Sequence, residues 1–251
     1  MIALARSELL KLRSTRTALV LFIVVLLVVL VPLVLLLTLL PTSWLETDGV
    51  TTFLNTASTL VPLALLVFGI LGMTGEYRHG AITYTYLATP RRGRVMIVKL
   101  VVYAVVGCLV MLLALLLANL IGAIGLPIRG VSYPAPDGAA LADYARQIVT
   151  AGLITAFGVA LGALFRAQVA TVAGTLIWAL MVEPLIVVFK PHIGTWLPFN
   201  VFSQVISLRI GSVDGGAAEG LSRPEAFLVS IGYIAAVSVL AVFISMRRDV
   251  T

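Results

Sequence analysis

Charge is scarce in this chain. Only 11% of its 251 residues are Asp, Glu, Lys or Arg, where a soluble domain carries about 25%. Too few polar side chains remain to cover a water-facing surface. With 61% hydrophobic residues and a mean hydropathy of +1.12, lipid is the solvent that fits. Cysteine is nearly absent as well. The single Cys108 lies inside an apolar run, which excludes an intramolecular disulfide and a cysteine-based metal site. It reads as a small buried hydrophobe. The two histidines, His79 and His192, fall on opposite sides in the topology below and so cannot share a metal ion. The sequence has no G-x-x-x-x-G-K-[ST], no H-E-x-x-H and no G-x-S-x-G. These absences exclude a phosphate-binding loop, a zincin site and a nucleophile elbow. The apolar runs hold little polar chemistry beyond Glu183 and Asn119, so no enzyme activity, bound cofactor or metal, and no nucleic-acid partner, is expected.

What is abundant is apolar length. A bilayer core about 30 Å thick needs ~20 apolar residues of helix. Six runs meet or approach this, over residues 18–40, 53–73, 100–124, 148–165, 169–189 and 227–246. In lipid every backbone polar group must be bonded within the segment, so these runs are helical. The expected fold is an all-α polytopic membrane protein, one transmembrane domain of six helices over residues 1–251. The first run exceeds the ~7–15 residues of a signal-peptide core and is expected to be retained. A further stretch over 190–210 is interrupted by Gly194, Pro198 and Asn200 and reads as an external re-entrant hairpin between the fifth and sixth spans.

Charge asymmetry supports this layout. With the N-terminus inside, Arg129, Arg146, Lys190, Arg209 and Arg223 lie outside and the other twelve of the 17 Lys and Arg lie inside, as the positive-inside rule asks. Both termini are then cytoplasmic. Residues 1–16 place Ile2, Ala5, Leu9 and Leu12 on one helical face, with Glu8, Lys11 and Thr15 opposite. This pattern fits an amphipathic elbow helix along the membrane surface; a charged flank that only sets topology is the plainer alternative.

Three features carry candidate function. Residues 75–99, GEYRHGAITYTYLATPRRGRVMIVK, form the only substantial cytoplasmic loop. Tyr77, Ala81, Tyr84 and Ala88 recur at helical spacing, Pro90 stops the helix, and Arg91, Arg92 and Arg94 follow. Such a segment could dock on a soluble partner through aromatic anchors and ion pairs, or simply lie among lipid headgroups. Glu183, directly before Pro184 in IWALMVEPLIVVF, is costly in lipid. It either faces a water-accessible pathway or caps a helix that Pro184 kinks or breaks. Gly158 and Gly162 form a G-x-x-x-G, which permits close helix packing within the chain or between copies.

At the 75–99 loop the chain resembles the permease subunits of ATP-binding-cassette exporters of the type-2 class. Their loop reads G-E-x-R-x-G-[TA]-I, then a leucine, a proline, a basic pair and a lysine. The matching residues are Gly75, Glu76, Arg78, Gly80, Ala81, Ile82, Leu87, Pro90, Arg91, Arg92 and Lys99. Ala81 stands where threonine is frequent. The likeness extends to residues 8–16, 182–184 and 197–199. It implies that residues 75–92 are a coupling helix whose Glu76, Tyr77, Arg78, His79, Tyr84, Pro90, Arg91 and Arg92 engage separate cytoplasmic ATPase subunits. ATP and Mg would bind there, not on this chain. It also implies a second permease copy or homologue, a plasma-membrane location, and a hairpin that caps the pathway. The competing expectations are a membrane anchor or sensor that recruits a cytoplasmic protein without moving solute, and a secondary transporter. The latter needs several intramembrane ionisable groups and internal repeats, and the sequence offers one acid and no clear repeat.

Overall fold

The computed structural model describes residues 2–14, 16–46, 50–78, 80, 92–206 and 220–247. Among these residues the chain is helical and turn, with no strand. The helices are α1 (Ile2–Ser14), α2 (Arg16–Leu39), α3 (Val50–Arg78), α4 (Arg92–Ile128), α5 (Gly138–Phe165), α6 (Gln168–Phe189), α7 (Pro198–Ile206) and α8 (Arg223–Arg247). One-turn helices at Thr42–Trp44 and Pro191–Gly194 join them. Five of these helices, α3, α4, α5, α6 and α8, are long and apolar enough to cross a membrane among the described residues. Helix α2 is 24 residues long, and its part over Ile23–Leu39 is apolar.

Several helices outrun the apolar segments that announce them. Helix α4 begins at Arg92 because Val95, Met96 and Val98 already bury and the charge of Lys99 is compensated, as described below. Helix α5 begins at Gly138 because the Asp137 carboxylate accepts the Ala140 N–H at 2.8 Å, satisfying one of the donors that a helix start leaves open. Pro184 does not break α6. A π turn over Trp178–Val182 lets the Glu183 N–H reach the Trp178 carbonyl. The widened turn accommodates the proline ring, which clashes with the carbonyl four residues back in a regular helix.

Helix α5 is the centre of the bundle, 67% buried where α6 is only 11% buried. Its small residues explain this. A Cβ added to Gly158 would stand 2.3 Å from the Leu66 carbonyl oxygen of α3, and one on Gly69 would stand 2.2 Å from the Thr155 carbonyl oxygen of α5. The G-x-x-x-G is therefore the seam between α3 and α5 within one chain, with the backbones in contact. Gly152 likewise seats against Ala104 and Cys108 of α4.

The helix ends sort to two faces. Arg129, just beyond α4, donates to the carbonyls of Leu37 at 2.8 Å and Leu40 at 2.9 Å, so α2 and α4 end together and one cation caps the open carbonyls of α2. Beside it Leu45, Leu126 and Val131 form a small core. The opposite face gathers α1, the end of α3 and the starts of α4 and α6.

Candidate functional site

Four charges of that second face converge on one cluster, buried around Lys99 and Glu8. Lys99 is completely buried, and its Nζ donates to Glu8 Oε2 at 2.6 Å and to Glu76 Oε1 at 2.8 Å. Lys11 Nζ donates to Glu8 Oε1 at 2.8 Å and to Glu76 Oε1 at 3.0 Å. Two cations and two anions alternate, and the cluster is neutral overall. Lys99 also sits 5.5 Å over the Tyr103 ring, within cation–π range. That ring packs on Phe68 at 5.1 Å, in space that any side chain at Gly72 would fill. Burial disfavours the Glu8 carboxylate, but the ammonium groups of Lys99 and Lys11 outweigh it and hold its pKa below the ordinary glutamate range. Burial opposes the charge of Lys11 too, and the two glutamates overcome it and raise its pKa. One oxygen, Glu76 Oε2, is buried without a hydrogen-bond partner among the described residues.

This geometry decides which side of the N-terminal helix meets the bundle. Glu8 is 1% exposed, whereas Leu9 is 51% exposed. The charged side of α1 faces the bundle and Leu9 faces away from it, with Leu12 packed against the Met73 and Met96 core. The reason is tertiary: Lys99, fixed in the bundle by α4, needs carboxylates and draws Glu8 inward, because an unpaired buried ammonium is far costlier than an outward leucine.

Glu76, Tyr77 and Arg78 occupy the last turn of α3, and each reaches a different element. Glu76 binds α1 and α4 through Lys11 and Lys99. Tyr77 lies 5.2 Å beneath the guanidinium of Arg166, the left-handed residue, φ 59°, that closes α5. Arg78 Nη1 donates to Gln168 Oε1 at 3.3 Å, at the start of α6. Gly80 follows with φ 67° and its N–H on the Tyr77 carbonyl at 3.3 Å, a left-handed stop for α3. His79, Tyr84, Pro90 and Arg91 lie outside the described residues, as do Ala81, Ile82, Leu87 and Ala88. Arg92 is the first residue of α4.

At the other face Glu183 is 2% exposed. Its Oε1 accepts the backbone N–H of Asn200, and its Oε2 accepts the Trp178 indole N–H at 3.1 Å. Asn200 lies in the first turn of α7, so the carboxylate caps the hairpin helix from a neighbouring span. The Asn200 side chain in turn donates to the Gly194 carbonyl at 2.8 Å. The hairpin is helix–turn–helix over Pro191–Gly194 and Pro198–Ile206; residues 207–210 lie outside the described residues.

The sequence singled out Glu76, Tyr77 and Arg78 but none of Lys99, Arg166 and Gln168 as their partners, nor Trp178 and Asn200 as those of Glu183. The available signal was a lysine entering an apolar run at Lys99 and acids at the matching depth on two other segments. Among the described residues no three His, Cys, Asp or Glu gather to hold a metal ion. The chain matches no protein-family model and has no significant match among curated proteins.

Proposed function

We propose that the chain is the transmembrane permease subunit of an ATP-binding-cassette exporter, with α2 as a sixth span, both termini cytoplasmic and the plasma membrane as its site. In this reading two copies, or this chain and a homologue, enclose the pathway. Separate ATPase subunits carry ATP and Mg and dock on the segment that begins at Glu76. The sequence resemblance motivates the reading, and one structural observation supports it. Glu76, Tyr77 and Arg78 stand at the root of the cytoplasmic segment and bond to α1 and α4, to the α5–α6 turn and to α6. A displacement imposed on residues 79–91 is thereby passed to several helices at once, which is what coupling requires. The missing phosphate-binding loop agrees with a motor on another chain.

The test is reconstitution with a candidate ATPase encoded beside this chain. Substrate-stimulated ATP hydrolysis with solute movement is expected. Glu76→Ala should lower stimulation by at least about tenfold, the cost of one buried charge-assisted contact, and Arg78→Ala, whose bond to Gln168 is exposed, should lower it less. The reading is refuted if the purified chain binds no such ATPase, or if charge reversal at Glu76 and Arg92 leaves transport intact. Partner binding without solute movement would instead make the chain a membrane anchor or sensor.

A further inference from the structure

A groove of about 550 Å³ runs between α5, α6 and α8 and is closed at one end by the hairpin. Its walls are Phe157 and Phe165 of α5, Gly174 and Trp178 of α6, Tyr233 of α8 and Phe199 of α7. Most of the polar groups at its rim are already bonded. Thr171 Oγ1 donates to the Ala167 carbonyl at 2.6 Å, Tyr233 Oη to the Trp196 carbonyl at 2.6 Å, and the Trp178 indole to Glu183. The groove therefore suits an apolar tenant. Along α6 it extends from Ala167 to Trp178, roughly 16 Å at 1.5 Å per residue. That is about half of a ~30 Å hydrocarbon core, the depth of one leaflet.

The end away from the hairpin reaches Phe165 and Ala167 at the α5–α6 turn, and two arginines stand beside that turn. Arg166 immediately precedes the groove residue Ala167, and its Nε and Nη2 are buried without a hydrogen-bond partner among the described residues. Arg78 is exposed and held beside the turn by Gln168. Guanidinium groups pair well with phosphate, and basic residues at a membrane face attract anionic headgroups. We propose that this groove is a lipid site that seats one acyl chain of an anionic phospholipid, with the headgroup phosphate at Arg78 and Arg166. The site does not depend on the transport reading or on which membrane face is cytoplasmic.

Trp178 supplies the probe. Of the three tryptophans, Trp44→Phe and Trp196→Phe leave Trp178 alone. The full chain is placed in vesicles containing brominated-chain phosphatidylglycerol or brominated-chain phosphatidylcholine at the same mole fraction. Quenching should favour the anionic lipid, and the preference should fall about five-fold for each of Arg78→Gln and Arg166→Gln. A Cβ at Gly174 meets no atom within 4 Å, so Gly174→Phe places its ring in the groove from an unobstructed Cβ and should suppress quenching by either lipid while leaving the melting temperature in place. Equal quenching by both lipids would mean ordinary boundary lipid and overturns the proposal. So does a Trp178 that no lipid quenches because a second copy covers it, and so does unchanged quenching in Gly174→Phe. The headgroup comparison stands on the Trp178-only chain even if Gly174→Phe fails to fold.

Discussion

Replacing Lys99 by methionine removes the only fully buried cation of the α1–α3–α4 cluster. Glu8 and Glu76 are then left with Lys11, whose side chain is 37% exposed. Removing one partner of a buried ion pair costs about 3–5 kcal/mol, because the remaining charge stays buried and uncompensated. Each kcal/mol corresponds to about 2–4 °C for a chain of this size, so Lys99→Met should melt roughly 10 °C below the parent in the same detergent. The physical claim is sharper in a double-mutant cycle. Glu8→Leu alone also destabilises, since it leaves Lys99 with Glu76 only. Glu8→Leu combined with Lys99→Met removes one charge of each sign and should recover about 1–3 kcal/mol relative to the sum of the single losses. Hydrogen exchange over residues 2–14 locates the effect, because α1 should exchange faster in Lys99→Met and return toward the parent rate in the double variant. Strict additivity, or a parent-like Lys99→Met, would refute the view that this lysine anchors α1.

Three further outcomes follow from the same geometry. The attachment of α1 should be pH-dependent. The depressed pKa of Glu8 contributes stability above the ordinary glutamate value of about 4.3 that is lost as pH falls through its lower folded value. The raised pKa of Lys11 contributes below about 10.4, and that part is lost as pH rises through its higher folded value. Protection of residues 2–14, taken relative to intrinsic amide exchange at each pH, should be greatest between these limits, and a maximum displaced to either extreme would contradict the pairing. Gly158→Ala should cost about 1–3 kcal/mol by overpacking the α3–α5 seam, whereas Gly174→Ala, in open space, should be neutral or stabilise by up to about 1 kcal/mol. Parallel melting curves decide between them. Glu183→Leu removes the acceptor of the Asn200 and Trp178 N–H groups, each worth about 1–3 kcal/mol when buried and unpaired. Hydrogen exchange across Pro191–Gly194 and Pro198–Ile206 should accelerate, and less so in Glu183→Gln, which keeps an acceptor oxygen.

The sequence by itself determined the solvent of this chain and the approximate places of its long helices. Both are one-dimensional properties: a run of apolar residues in lipid must bond its own backbone, whatever lies beside it. It also marked Glu76, Arg78, Glu183 and the glycines at 158 and 162 as residues needing an explanation. Only the tertiary structure supplied their partners. Which side of α1 turns inward was decided by Lys99, 91 positions away from Glu8. Whether the G-x-x-x-G joins two chains or two helices of one chain was decided by the carbonyls of α3. Whether Pro184 ends a helix was decided by a π turn that aims Glu183 at the hairpin. In each case the deciding term is the cost of leaving a polar group or a close backbone unpartnered in a low-dielectric interior. The partner that relieves that cost is set by three-dimensional proximity, which no local periodicity encodes.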